Sequence, residues 1–393
     1  MYDNFPNLQI FRQEILSIFN FFTSKKLLPL SPLTTINSDY MPTFRAKKHS
    51  PIRLYVAIAF LIIINIAIVI GCVVIKQYRF SSFCKEDFTL YIGRNYTAAS
   101  ILSQISQDDT LSLRKTDRLR HLFATKGFNE PARTGAYRIT TDMSALEVYE
   151  LLTVGNHSPV RVTFNNLRTV EDFASSMARQ LLPEKEEFLA LLRDDAYCQE
   201  KGFTPATIPA MLLPDSYEVY WNTSADRLLD RMAREYDYYW DDTRRQKAKS
   251  IGLTPIEVAT LASIVEEETN VADEMPVVAG LYINRLRKRI PLQADLTIKF
   301  AVGDFMLKRI LTKHLDVESP YNTYKHYGLP PGPIRIASKR AIESVLNYKR
   351  HNYLYMCAKE DLSGRHNFAS TLSEQNRNAA RYHKALNKLR IMK

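Results

Sequence analysis

Cysteine is scarce in this chain: Cys72, Cys84, Cys198 and Cys357 are the four in 393 residues, no two of them form a CxxC, and no histidine pair stands at metal-ligand spacing. A disulfide-built scaffold and a zinc site are thereby excluded, and no metal or other cofactor is called for. Cys72 lies in an apolar run, which leaves an odd number of thiols elsewhere and so at least one without an intramolecular mate. Long basic runs and RNA-binding signatures are missing too, although the formal charge is +11. The surplus reads as a basic surface spread over the protein, with no nucleic acid as partner. A content of 46% hydrophobic and 24% charged residues excludes a disordered chain.

One apolar run stands out. "LYVAIAFLIIINIAIVIGCVVI", residues 54–75, carries no charge. At about 1.5 Å per residue it spans roughly 33 Å, enough for a hydrocarbon layer near 30 Å, and predicts a transmembrane helix. A cleaved signal peptide fits less well, because the run is long and "KQYRFSSF" follows it where a small-residue cleavage site would stand. Arg45, Lys47, Lys48 and Arg53 precede the run, against Lys76 and Arg79 after it. That bias puts the N-terminus inside and the rest of the chain outside a cytoplasmic (inner) membrane crossed once. Residues 1–53 are then a cytoplasmic segment, with Met41 as a candidate true start.

The remainder reads as α+β. Residues 76–158 hold a strand "FTLYI", helices in "TAASILSQIS" and "LRKTDRLRHLFATKG", a strand "GAYRI", and a helix that Ser144 and Glu147 open as a capping box. No combination of acid, nucleophile and base appears in this small unit. Residues 159–393 are expected to form a mixed α/β domain, starting with a strand in "VRVTF" and a helix capped by Thr169. The stretch "TSADRLLDRMAREYDYYWDDTRRQKAKSIG" mixes acids and bases and is expected to be a helical scaffold with a solvated face.

"LTPIEVATLASIVEEET" carries the chemistry. Thr254 as cap, Pro255 at the first helical position and Glu257 three residues after the cap predict a helix over 255–269. At about 100° per residue, Glu268 lies over Leu261, Ile264 and Val265, on the bulky apolar face. Glu267 stacks over Thr260 and Ser263 and is expected in solvent. Glu266 lies over Ala259 and Ala262, where a packed neighbour or a groove could approach. Mutual repulsion and the negative helix end raise the proton affinity of all three, and an apolar wall raises it further for Glu268. A carboxyl still protonated near neutrality is what breaking a glycosidic bond requires, since the leaving sugar oxygen must receive a proton. Glu268 is therefore the candidate acid.

Downstream, "VADEMPVVAGLYINRLRKRIPLQADLTIKF", "SPYNTYKHYGLPPGPI" and "NYLYMCAKEDLSGRHNFASTLSEQNRNAARY", with "LPDSYEVYW" and "GAYRI" upstream, closely resemble the endolytic murein transglycosylases of the MltG/YceG-like family. The resemblance covers residues 85–386 and includes the single N-terminal membrane anchor. It implies a LysM-like subdomain in residues 76–158 and a catalytic domain that cuts peptidoglycan strands internally between MurNAc and GlcNAc, leaving 1,6-anhydro-MurNAc ends. It further implies a role in ending strand elongation, with peptidoglycan synthases as partners. The family's catalytic glutamate stands directly before threonine in its "IVExET" motif, and falls on Glu268.

The candidate substrate-binding residues are Glu266, Gln293, Asp295, Tyr321, Asn322, Thr323, Tyr324 and His366. The proline-rich "GLPPGPI" predicts a stiff loop behind the tyrosines and amides of "SPYNTY", and such groups on rigid backbone suit sugar hydroxyls and ring faces. Gln293 and Asp295 are expected in the groove or as supports for Glu268. Asn284 and Arg285 are expected to hold helix packing, and His366 to make hydrogen bonds rather than bind metal. Two positions depart from the family pattern: Leu296 stands where it usually has proline, and Gln375 where it has histidine. Two other functions remain open at this point: a muramidase with Glu266 or Asp295 as partner to Glu268, and a wall-binding scaffold without catalysis.

Overall fold

A computed structural model describes residues 51–107, 113–307 and 310–388. Residues 1–50, and with them the candidate start at Met41, lie outside the described residues. By internal contacts the chain divides into two units, residues 1–69 and 70–393. The apolar run forms α1 (Pro51–Ile75), continued by a π-helical turn at Lys76–Phe80. Leu54–Phe80 is long and apolar enough to cross a membrane. Its large apolar side chains, Phe60, Ile63 and Val69 among them, are exposed, so no protein core accounts for their hydrophobicity.

Two separate hydrophobic cores follow. The first is built by β1 (Phe88–Ile92), α2 (Ala98–Ser106), α3 (Leu113–Lys126), β2 (Gly135–Ile139) and α4 (Ala145–Val154). β1 and β2 pair antiparallel, Phe88 opposite Ile139 and Ile92 opposite Gly135. Ile92, Ile101, Ile105, Leu119, Tyr137 and Val148 close this core completely. Ser144 and Glu147 cap α4 reciprocally, and Gly155 ends it in the left-handed conformation that costs glycine least.

The second core begins with β3 (Pro159–Phe164), α5 (Val170–Ala178), α6 (Lys185–Leu192), α7 (Asp195–Glu200), β4 (Asp215–Tyr220), α8 (Ala225–Tyr239) and α9 (Asp242–Ile251). It continues through α10 (Pro255–Glu268), α11 (Met275–Arg287), α12 (Asp295–Val302), α13 (Thr312–Leu315), α14 (Lys339–Leu346), β5 (Tyr355–Ala358), β6 (His366–Ala369) and α15 (Leu372–Lys388). The strands make three two-stranded antiparallel sheets, β1–β2, β3–β4 and β5–β6. The expected mixed α/β catalytic region is thus α+β: no parallel pair is present among the described residues, because no strand is followed by a crossover helix and a parallel neighbour. The charged stretch expected to be a helical scaffold is helical and breaks at Asp241, whose carboxylate caps α9 by accepting from Arg244 N. Only one side of α8 is solvated, and the other buries Leu228, Leu229, Met232 and Tyr236.

α10 runs through the middle of this core. Val258, Leu261, Ile264 and Val265 are fully buried, each worth roughly 2 kcal/mol of transfer free energy. α11 and α14 pack against it. Gly280 on α11 lets the following chain come close: a Cβ there would stand 2.3 Å from the Lys349 carbonyl oxygen. Lys349 N–H donates to Pro276 O, and Asn284 Nδ2 donates to His351 O and Tyr353 O. These bonds lay residues 349–354 along α11 and deliver β5 beside the end of α10.

Candidate active site

Helix α10 stops at Glu268 because Thr269 turns extended (φ −145°) and its hydroxyl accepts from Val271 N–H. The Glu268 side chain lines a cavity of about 420 Å³, walled also by Tyr282 and Arg285 of α11, Gln293, Asp295, Tyr324, β5, His366 and Gln375. Tyr282 Oη donates to Glu268 Oε1 at 2.8 Å. Burial pushes the Glu268 carboxyl up to about 7; the Tyr282 bond works against this, and the negative charges of Asp295 and Glu267 add to it. The direction of this shift and its main cause, burial, are those that the apolar helical face led us to expect.

Four of the candidate binding residues meet in this cavity: Gln293, Asp295, Tyr324 and His366. Gln293 adopts a left-handed conformation (φ 51°) and accepts from Arg285 Nη2 at 2.6 Å. A non-glycine residue held there stores strain. The turn is fixed by its neighbours, as Gln293 N–H donates to Thr323 O and Ala294 N–H to Thr323 Oγ1. Asp295 accepts from Tyr324 Oη and opens α12. Leu296, in place of the family's proline, packs on the core, so the helix starts without the proline.

The other candidates sit behind the wall. Asn322 and Thr323 are buried, and Tyr321 packs on Phe300 with ring centroids 4.6 Å apart. Asn322 Nδ2 donates to Leu315 O and Val317 O, and its Oδ1 accepts from Tyr324 N–H. These are structural supports that present Tyr324, Gln293 and Asp295. Asn322→Ala would orphan buried partners and is expected to lower stability by roughly 2 to 3 kcal/mol, read as a fall in the thermal midpoint.

Glu266 and Glu267 are corrected outright. Glu266 is buried away from the cavity, accepting from Ser338 N–H at 2.9 Å with Arg335 Nε 3.5 Å away. Glu267, expected in solvent, is held by Arg168 Nη2 at 2.7 Å and Arg335 Nη1 at 2.8 Å. Arg335 also donates to Asn166 Oδ1 at 2.6 Å. The polar face of α10 is polar because two arginines from distant segments meet it there.

The chain matches the YceG-like family over residues 90–381. It belongs to the YceG-like family. An endolytic murein transglycosylase of Bacillus subtilis (strain 168) is 26% identical over 314 residues, 76% of this chain and 85% of that protein. One of Streptococcus pneumoniae (strain D39) is 27% identical over 285 residues, 64% of this chain, which spans 50% of that relative. In fold the chain is similar to a YceG-like protein of Listeria monocytogenes known from a crystal structure, with a TM-score of 0.51 at 24% identity over 75% of this chain and 99% of that one.

Tyr282, Arg285, Tyr355 and Gln375 line the cavity of this YceG-like chain without having been singled out as site residues. Tyr282 and Arg285 stand one helical turn apart, a spacing that puts them on one face, but nothing in the sequence says that this face looks at Glu268. Arg285 holds packing as expected, donating to Pro291 O and Leu354 O, while also walling the cavity. Gln375, at the position where the family has histidine, reaches the cavity while donating to Met356 O at 2.8 Å.

Proposed function

We propose that this protein is a membrane-anchored lytic transglycosylase that cuts peptidoglycan strands internally, between MurNAc and GlcNAc, and leaves 1,6-anhydro-MurNAc ends. The names of its relatives, endolytic murein transglycosylases, support a murein substrate and an internal cut. The observation that carries the reading is the Glu268 carboxyl, raised to about 7 inside a cavity lined by hydroxyl, amide and guanidinium groups. Protonated Glu268 gives its proton to the departing GlcNAc oxygen as the glycosidic bond breaks. The C6 hydroxyl of the same MurNAc attacks C1, and its proton restores Glu268. An attacker already tethered to the reacting centre needs no second carboxylate and consumes no water.

The first core, residues 76–158, serves as the LysM-like subdomain, and residues 159–393 form the catalytic domain. α1 anchors both to the cytoplasmic membrane with the N-terminus inside. Such a cut in a growing strand ends its elongation, which makes peptidoglycan synthases the natural partners. Asp295 shares the cavity with Glu268 and supports a second reading, a hydrolase in which that carboxylate activates water.

Mass spectrometry of peptidoglycan digested by the full chain separates the readings. Anhydro-ended fragments are expected. Fragments heavier by one water would replace the transglycosylase by the hydrolase, and uncut strands would overturn both. The pH profile gives a further check. Because the Tyr282 bond lowers the proton affinity of Glu268, Tyr282→Phe is expected to move the alkaline limb of kcat/KM to higher pH. A limb that stays in place or moves down would show that the phenol does not govern the acid.

A further inference from the structure

A second acid–base pair borders the cavity, with His366 on its wall and Glu274 behind it. Glu274, 6% exposed, accepts from the backbone N–H of His366 at 3.0 Å and stands 3.1 Å from its Nδ1. The preceding residue pairs likewise: Arg365 grips Asp273 through both guanidinium nitrogens at 3.0 and 3.1 Å. Two adjacent contacts thus staple the start of β6 to the entrance of α11. Thr269 Oγ1, directly after the catalytic glutamate, donates to Glu274 Oε2 at 3.4 Å, so the same short segment carries both carboxyls.

An ionised carboxylate is an acceptor only, so an uncharged imidazole beside it carries its hydrogen on Nδ1 and leaves Nε2 bare. Nε2 has no protein partner among the described residues, and the ring lines the cavity that Glu268 lines. We propose that Glu274 is a positioning residue that fixes the tautomer of His366, and that His366 Nε2 is the first acceptor of the proton of the attacking C6 hydroxyl.

This rests on the transglycosylase reading and adds one station to it. The C6 oxygen bonds to C1 while its proton passes to Nε2. The C1–oxygen bond to GlcNAc breaks, its electron pair staying on that oxygen, which takes the Glu268 proton. The imidazolium then returns its proton to the Glu268 carboxylate, so both groups end as they began. Nothing is oxidised or reduced, and no water is used.

Glu274→Gln tests the idea because an amide keeps the shape and reverses the hydrogen bond. Its oxygen still takes the His366 backbone N–H, while its NH2 now faces Nδ1, which leaves the hydrogen on Nε2. In the full chain in detergent, with 15N-labelled histidine and His366→Gln for assignment, wild-type His366 is expected to show a bare Nε2, and Glu274→Gln a protonated one. Expected losses in kcat are about 10²- to 10³-fold for Glu274→Gln and His366→Gln with KM little changed, within the range that a positioned general base supplies. A merely structural carboxylate would move the thermal midpoint and leave kcat of the folded fraction alone.

Wild-type protein with hydrogen on Nε2, or a folded Glu274→Gln with kcat within threefold of wild type, overturns the proposal. If Glu274→Gln fails to fold, the wild-type resonances and the kcat of His366→Gln decide by the same criteria. A wild type that cuts no strands strikes the functional reading instead, whereas an active wild type failing either criterion strikes only the dyad.

Discussion

Glu268→Gln is expected to lower kcat for strand cleavage by about 10³-fold, within the range that a positioned general acid supplies, and also to make the protein more stable at pH 8. Both effects come from one cause. Burial raises the carboxyl from its ordinary 4.5 to about 7. Below pH 4.5 the group is protonated in folded and unfolded chains alike, and its burial carries no ionisation penalty. As pH rises towards 7 the unfolded chain releases the proton while the folded chain keeps it, so stability falls, and the loss is complete above the folded value. Over that interval it amounts to on the order of 3 kcal/mol. Glutamine does not ionise and escapes it. Urea midpoints of the two proteins should therefore diverge between pH 4 and pH 8, with the variant the more stable at the higher pH.

For the wild type, kcat/KM should fall as pH passes about 7, because the acid form is lost. Chromatography of anhydro-ended fragments across pH reads this limb. Residual cleavage by Glu268→Gln within tenfold of wild type would move the acid to another residue.

Glu267→Ala is expected to cost roughly 3 to 5 kcal/mol, a large share of a total stability of about 5 to 15. Glu267 ties the end of α10 to Arg168, on the segment between β3 and α5, and to Arg335, just before α14. Its side chain and that of Arg335 are each 10% exposed, so alanine strands a buried guanidinium whose remaining partners are the Asn166 amide oxygen and, as the one carboxylate, Glu266 3.5 Å off. Arg168 is 37% exposed and also lies over the Phe305 ring, so it can return to water. The greater share of the cost therefore falls on Arg335. Glu267→Gln keeps the shape and loses the charge, and should cost less than alanine yet more than a surface change. Urea unfolding followed by the fluorescence of Trp221 and Trp240 measures both, and a loss below about 1 kcal/mol for alanine would mean that this cluster does not hold the helix end.

Local signals of the first core could be read directly. The Ser144–Glu147 capping box and the strands at Phe88–Ile92 and Gly135–Ile139 stand where propensity and alternation put them, because each depends on residues close in sequence. The Thr254–Pro255–Glu257 start of α10 is of the same kind. So is the apolar side of Glu268, since the residues that make its face lie on its own helix. The break at Asp241 was also written in the sequence, as a good cap inside a helical pattern, but the charged surroundings concealed it.

By itself, the sequence determined an apolar helix long enough for a bilayer, an α+β chain, and one glutamate of three set on an apolar face. Only the tertiary structure decided that Glu267 is clamped by two arginines rather than hydrated, that Asn322 and Thr323 support the wall instead of lining it, and that Tyr282 and His366 share the cavity with Glu268. The reason is range. Helical periodicity reports which way a side chain leaves its own element, whereas what waits there comes from segments far along the chain, and in this site the partner supplies the charge or the hydrogen bond.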